Sequence, residues 1–332
     1  MRERCGETVL VHLAAGVGNV VLATPLLVAL SDLGLTVDVL LGADYAETAE
    51  LLGGWSVVRE VFAGNARVAR WREYDALVPA VPPFYWSRFA RLYARDARAI
   101  KRPPASLFYR DEQQFYLSFA RRLGANEAAY PAYRLPIAPA ENFGVCGATL
   151  VIAPGSKSGE MRAKRWGGFA RLAELFADVV VVGTNEDLRT SAGATLKFPP
   201  HARLFIDQLT LRETAGLLAS AGVVVANDSG LAHVAAAVGT PTVMIFGPTP
   251  DATLGRLAAN VEVLRAGLAC EPCWFGARFK ACDARLTCLS EVSVERVACA
   301  VRKFLRPGEE EERADPPHAC HTQPALSHPA GS

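Results

Sequence analysis

The chain has 332 residues, 51% of them hydrophobic and 21% charged, with a formal net charge of +1. That length exceeds what one core usually organises and predicts two domains, while the near-neutral balance excludes bulk electrostatic attraction to nucleic acid. Eight cysteines in so long a chain do not make a small disulfide scaffold, and Cys5 and Cys146 read as isolated thiols.

Residues 8–30 contain no Asp, Glu, Lys or Arg, as a membrane span would. Gly16, Gly18, Asn19 and Pro25 break the run and His12 interrupts it, which predicts a buried strand over 8–13 feeding a buried helix over 19–33. The run is too long for the apolar part of a signal peptide, and Glu3 and Glu7 spoil a basic leader. A cytoplasmic protein is expected. Gly34 stops the helix, a strand follows over 36–41, and Pro25 is placed to kink the helix between them. The Gly16-x-Gly18 turn is half of a dinucleotide fingerprint, but Val21 stands where the third glycine belongs and Asp38 lies inside a strand. A nicotinamide oxidoreductase is therefore disfavoured. The turn offers a backbone that a ligand can approach, with Asn19 presented at the helix start.

Short elements continue over 57–62 and 74–81. Between Phe84 and Arg122 nine Lys and Arg stand against three Asp and Glu. The spacing of Arg88, Arg91, Arg95 and Arg98 predicts four guanidinium groups on one helical face. That face is either a solvated surface or an electropositive wall for an acceptor carrying phosphate or carboxylate groups. Residues 131–147, rich in proline, read as an interdomain linker.

A second α/β pattern opens with a strand over 149–153 and the loop Pro154-Gly-Ser-Lys-Ser-Gly159, of the kind that binds ligands at strand carboxyl ends. Ser156 is its hydroxyl. Lys164-Arg165-Trp166 precedes a helix over 167–177 and a strand over 178–183. Glu186 and Asp187 follow in a loop where an acid can hold ribose hydroxyls. Thr210 and Glu213 make a capping box for a helix reaching Ser220.

The next stretch carries the most chemistry: a strand over 223–226, the turn Asp228-Ser229-Gly230, a helix, and a strand over 242–246. Asp228 or Ser229 can cap the helix, and Gly230 lets a ligand come close to its exposed N–H groups, including that of Leu231. Those donors and the positive dipole end favour a phosphate. His233, four residues after Ser229, shares its helix face. The alternative is an ordinary βαβ unit whose Asp caps and whose His is structural.

Past Gly247, the spacing Cys270-x2-Cys273-x8-Cys282-x5-Cys288 can make a tetrahedral zinc site. The wide second pair equally suits thiols that pack or form a reversible disulfide. A helix over 292–305 ends the ordered part, and the acidic and then Pro/His/Ala-rich residues 306–332 are expected to be disordered.

Taken jointly, Gly16-Val-Gly-Asn-Val-Val-Leu-Ala-Thr-Pro25, Pro154-Gly-Ser156, Lys164-Arg-Trp166, Gly183 with Glu186, Asp228-Ser-Gly-Leu-Ala-His233, Phe246-Gly-Pro-Thr249 and the four cysteines resemble glycosyltransferase family 9, the ADP-heptose:lipopolysaccharide heptosyltransferases. The likeness runs over about residues 1–305. It implies an α/β GT-B fold of two Rossmann-like domains facing across a cleft. Residues 1–140 would bind the acceptor and 141–305 the nucleotide sugar, with the last helix packing back on the first domain. It also implies inverting, metal-independent transfer of a sugar, most simply a heptose from ADP-heptose, to a lipopolysaccharide core or related glycan, at the cytoplasmic membrane face. No cofactor is implied beyond the donor.

Physical needs then assign roles. Lys164 and the N–H groups at Ser229, Gly230 and Leu231 suit a departing diphosphate. Glu186 suits the ribose, Gly16, Gly18, Ser156, Asp228 and His233 the phosphates or sugar, and the four arginines the acceptor. In the family an Asp proposed as general base commonly follows the second glycine of the first turn; here that residue is Asn19. An amide cannot take the acceptor's proton, so either another group is the base or the chain binds a nucleotide sugar without transferring it.

Overall fold

A computed structural model of the chain describes residues 6–14, 16–64, 73–126, 133–157, 159–274, 282 and 287–305, and the expected tail 306–332 lies outside these. The apolar, β-branched runs form two sheets whose strands all pair in parallel. The first contains β1 (Thr8–Leu13), β2 (Thr36–Gly42), β3 (Glu60–Gly64) and β4 (Ala76–Val78), in the order β3-β2-β1-β4. The second contains β5 (Leu150–Ala153), β6 (Val179–Gly183), β7 (Arg203–Ile206), β8 (Val223–Asn227), β9 (Thr242–Ile245) and β10 (Val261–Leu264), in the order β10-β9-β8-β5-β6-β7. Strand order reverses between β1 and β4 in one sheet and between β5 and β8 in the other. A crevice opens at the carboxyl end of each such switch point, and the turns after β1, β5 and β8 are the three singled out from the sequence. The two-domain GT-B arrangement is therefore present.

The charge-free stretch 8–30 does not span a membrane. It is β1, then α1 (Val17–Leu22) and α2 (Thr24–Asp32), and among the described residues no helix is long and apolar enough to cross one. The single helix expected over 19–33 is divided at Ala23, where the Thr24 hydroxyl donates to the Val21 carbonyl at 2.7 Å. Pro25 thus falls in the first turn of α2, where its missing N–H costs no bond.

The remaining helices of the first domain are α3 (Ala49–Leu52), α4 (Ala90–Tyr93), α5 (Ala105–Arg110) and α6 (Glu112–Arg122). The arginine spacing does not produce one helical face. Residues Pro83–Arg88 form a 3₁₀ segment, and α4 ends before Arg95 and Arg98. Tertiary packing overrides the periodicity here. Trp86, Phe89 and Tyr93 lie down on Leu10, Leu40 and Leu77 of the sheet, and Tyr93 OH meets His12 Nδ1 at 2.7 Å. Arg98 turns to Asp96 at 2.7 Å, a local ion pair.

The second domain adds α7 (Phe169–Ala173), α8 (Leu211–Ser220), α9 (Gly230–Ala237), α10 (Thr287–Ser290) and α11 (Val294–Phe304). The capping box at Thr210 and Glu213 is formed. The last helix, expected to return to the first domain, packs instead on α7, β8 and β9. Its buried stripe of Val297, Ala298, Ala300 and Val301 completes the second core. Residues 133–147, read as a linker, already belong to this side: Leu135 N–H donates to the Ala237 carbonyl at 2.9 Å and Ala140 N–H to Gly216 at 3.1 Å.

One continuous apolar cluster runs from Val20 and Leu27 on α1 and α2 to Val234, Ala235 and Met244 around α9. Polar bonds support the junction. Arg212 donates to the Glu50 and Gly53 carbonyls at 2.9 and 3.0 Å, and Gln113 donates to Leu254 and Arg256 at 2.9 and 2.8 Å. Leu26, fully buried in this cluster, has little room to collapse around a void. Leu26→Ala is expected to lower unfolding free energy by about 2–5 kcal/mol, read as a shift of the urea midpoint at constant m-value.

Candidate functional site

Both switch points open into one cleft of about 1130 Å³. Its walls combine Gly16, Gly18 and Asn19 of the first turn with Ser156, Lys164, Asp228, Ser229, Gly230, Leu231 and His233 of the second domain. The start of α9 therefore faces Gly18 and Asn19 across the domain boundary. Ser229 is the residue before the helix, yet neither its hydroxyl nor the Asp228 carboxylate caps it. The expected cap is absent, which leaves the first N–H donors of α9 to whatever the cleft holds.

The glycines have a different reason from the one the sequence suggested. A Cβ at Gly230 would lie 2.8 Å from Val17 Cβ, and one at Gly18 would lie 3.1 Å from His233 Cδ2. Gly230 and Gly18 thus let α1 and α9 touch, rather than simply admitting a ligand.

Lys164-Arg165-Trp166 sends three side chains three ways. Trp166 is buried, its N–H bonded to Asn227 Oδ1 at 2.8 Å and its indole to the Val292 carbonyl at 2.9 Å. Arg165, 1% exposed, donates to the Ser156 carbonyl at 2.5 Å and the Ser156 hydroxyl at 3.1 Å, and to the Glu186 and Arg189 carbonyls. It clamps the loop after β5 to the loop after β6. Lys164 reaches the cleft, where its ammonium meets Asp228 Oδ2 at 2.5 Å and the Asp228 carbonyl at 3.2 Å.

Asp228 is 6% exposed. Burial alone would raise its pKa, but the Lys164 charge and the neighbouring His233 outweigh it, holding the carboxyl well below its usual range. His233 Nε2 lies 3.7 Å from that carboxylate, and its Nδ1 lies 3.5 Å from Tyr133 OH.

Glu112, which sequence reasoning passed over, also lines the cleft. It is 5% exposed. Asn19 donates its amide to Glu112 Oε1 at 2.7 Å, and Tyr116 OH donates to the same oxygen at 3.1 Å. Burial pushes the carboxyl up to about 7, against the two hydrogen bonds and the Lys164 charge and with the help of the Asp228 charge. No spacing signal could have found it, because an acid in the first turn of a helix reads as an ordinary dipole partner.

Other expected residues fall elsewhere. Glu186 is not among the lining residues, and its carboxylate holds Arg162 at 2.5 Å; Thr184, Asp187 and Asp207 line the cleft there instead. Arg88, Arg91, Arg95 and Arg98 are likewise outside the lining, although Arg88 lies over the ring of Tyr85, which does line it, at 5.4 Å. Lys157 spans the domains at the mouth, hydrogen-bonded to Tyr45 OH and 3.4 Å from Tyr85 OH.

Of the four cysteines, Cys270 is exposed, Cys273 and Cys282 are half-buried and Cys288 is buried. Burial, then the nearby Glu271 and the other three thiols, push the Cys288 thiol up to about 12. Among the described residues no group of three or more His, Cys, Asp or Glu is arranged to hold a metal ion.

The sequence profile of glycosyltransferase family 9 (heptosyltransferase) matches residues 112–278, half of the chain. Over 122 residues the chain is 33% identical to lipooligosaccharide heptosyltransferase 2 of Haemophilus influenzae, a stretch covering 34% of this chain and 35% of that one. The match thus spans about a third of the relative's length. Among solved structures, a family 9 glycosyl transferase from Veillonella parvula superposes with a TM-score of 0.68 at 17% identity, covering 91% of this chain and 98% of that one. The E. coli ADP-heptose lps heptosyltransferase II gives 0.66 at 20% identity, covering 90% and 98%. E. coli heptosyltransferase WaaC with ADP gives 0.62 at 20% identity, covering 90% and 99%.

The Glu112 environment has a measurable consequence. Between its ordinary value of 4.5 and about 7, the native chain keeps a proton that the unfolded chain has lost. Raising the pH through that window therefore lowers stability. The buried His12, whose pKa is lowered to about 4, has the opposite slope but is common to both proteins compared. Glu112→Gln is expected to gain stability relative to wild type as pH rises from 4.5 to about 7, measured by urea unfolding; parallel curves would show that Glu112 is ionised throughout.

Proposed function

The chain belongs to glycosyltransferase family 9, and from that premise we propose that it is an inverting transferase that moves a heptose from ADP-heptose onto a lipopolysaccharide core or related glycan. The observation carrying this reading is the uncapped start of α9 beside the Lys164–Asp228 pair, in a cleft whose opposite wall is Asn19. Negative charge develops on the leaving diphosphate as the bond to the anomeric carbon breaks. N–H groups at Ser229, Gly230 and Leu231, with the ammonium of Lys164, stabilise it from positions fixed before the reaction. Asp228 and His233 hold Lys164 and the turn in place, and Ser156 presents its hydroxyl from the loop after β5. These cations and dipoles do without a metal what a divalent ion does in other transferases.

The nucleoside lies over the loop after β6, where Thr184, Asp187 and Asp207 line the cleft. The sugar extends from there toward Gly16, Gly18 and Asn19. The acceptor enters past Phe84, Tyr85, Phe108 and Tyr109, an aromatic wall suited to the faces of sugar rings. Arg88 stands behind it, and the exposed Arg91 and Arg95 meet phosphates of a glycolipid at the cytoplasmic leaflet, while Arg98 stays with Asp96. E. coli heptosyltransferase WaaC has been solved with ADP, which supports an adenine nucleotide as the donor's carrier.

The second reading, binding without transfer, has one observation in its favour, the amide at Asn19 in place of the family's carboxylate. Turnover separates the two. ADP-heptose at about 100 times its Kd is expected to raise the free energy of unfolding by about 2.7 kcal/mol, seen as a higher melting temperature. With an inner-core lipooligosaccharide acceptor, transfer is expected to persist unchanged in EDTA. Stabilisation without product would leave only the binding reading.

The Lys164 ammonium gives a further check. Lys164→Gln is expected to lower kcat by about 10²–10³-fold, the cost of losing one preorganised partner of the leaving charge. Because the change also strands the buried Asp228 carboxylate, its melting temperature is expected to fall as well. A variant with wild-type kcat would remove Lys164 from the mechanism.

A further inference from the structure

We propose that Glu112 is the general base of the transfer reaction, taking the place of the carboxylate that the first turn lacks. The inference rests on the transferase reading. Attack requires that the acceptor oxygen lose its proton as its bond to the anomeric carbon forms, while the carbon–oxygen bond to the diphosphate breaks and that group leaves with the electron pair. The proton must go to a basic atom in the cleft. The Asn19 amide cannot hold it.

Elimination among the acids of the cleft leaves one residue. Asp228 is bound to Lys164 and is too weak a base. Asp187 accepts from the Thr184 N–H and hydroxyl at 2.9 Å and faces Arg165 at 3.2 Å. Asp207 accepts from the Asn185 N–H at 3.2 Å and from its side-chain amide. Glu47 is exposed to solvent at the rim. His233 stands between Asp228 and Tyr133.

Glu112 alone is buried, lines the cleft and touches the residue at the family's catalytic position. Asn19 and Tyr116 both donate to Oε1. Both bonds fall on Oε1, and the residue lines the cleft, which leaves Oε2 for an acceptor hydroxyl. Asn19 then acts as a positioning residue, since its amide fixes the rotamer of the carboxylate. The helix carrying Glu112 is itself tied to the second domain by Gln113, which keeps base and donor site in register.

The groups facing this carboxyl are Asn19 from α1, Tyr116 from its own helix, and Asp228 and Lys164 from across the cleft. Its proton affinity, raised to about 7, matches a base working near neutral pH.

The test uses the full chain with ADP-heptose and an inner-core lipooligosaccharide acceptor. Glu112→Gln keeps the size of the side chain and is expected to reduce kcat by about 10²–10⁴-fold, with an unchanged donor KM and an unchanged melting shift by ADP. Wild-type kcat is expected to fall on the acid side with an apparent pKa of about 7, and that limb to vanish in the variant. Should Glu112→Gln not fold, Glu112→Asp decides: a reduced kcat that keeps an acid limb supports the base, and wild-type kcat overturns it. An active wild type beside an equally active Glu112→Gln sinks the base assignment alone. A wild type that turns over no nucleotide sugar sinks the transferase reading with it.

Discussion

Contact between the first turns of two helices, one from each domain, is the constraint on which the cleft depends. Val17 sits where a side chain at residue 230 would be, and the His233 ring stands against the space a side chain at residue 18 would take. A Cβ at residue 230 would force Val17 or the helices themselves to shift, and one at residue 18 would require the His233 ring to give by a few tenths of an ångström. The apolar cluster that continues across the junction supplies cohesion, since burial is non-directional. The glycine contacts supply the geometry. A short-range steric requirement thus places Asn19 and Glu112 opposite Lys164 and Asp228.

Within the cleft, two carboxylates of similar burial receive opposite treatment. Asp228 has a cation at 2.5 Å and remains charged, which makes it a fixed support for Lys164. Glu112 receives only neutral donors, an amide and a phenol, so desolvation dominates and its proton affinity rises toward neutrality. Partner charge, rather than depth, separates them. The division suits a reaction in which one side of the cleft must stabilise a departing anion and the other must accept a proton. On the proposed mechanism, a side chain from a different helix supplies the carboxylate that Asn19 does not.

The loops that complete the site are held by buried polar residues that do not line the cleft. Arg165 satisfies carbonyls of two loops at once, and Asn227 ties Trp166 to the loop after β5 through bonds of 2.8 Å to the Trp166 N–H and 2.5 Å to the Pro154 carbonyl. Buried guanidinium and amide groups are costly unless fully bonded, so each fixes the loop it serves in a single conformation. Lys164 inherits its direction from these neighbours.

Much of this was legible in the chain. Charge-free β-branched runs announced parallel strands, Thr210 with Glu213 announced a helix start, and the Gly16–Asn19, Ser156, Lys164 and Asp228–His233 motifs marked the turns that line the cleft. These signals are local, and each is set by a few neighbouring residues through sterics and hydrogen bonding. What lay beyond reach depends on distant packing. The arginine spacing implied a helix that aromatic packing on the sheet breaks up, the last helix joined the second core rather than the first, and Glu186 turned to Arg162. Most telling is Glu112. By itself the sequence determined two parallel-sheet halves, the turns that line the cleft, and an amide rather than a carboxylate at residue 19. Only the tertiary structure decided which acid stands beside that amide, because proton affinity is set by the burial and partners assembled when residues 93 positions apart meet.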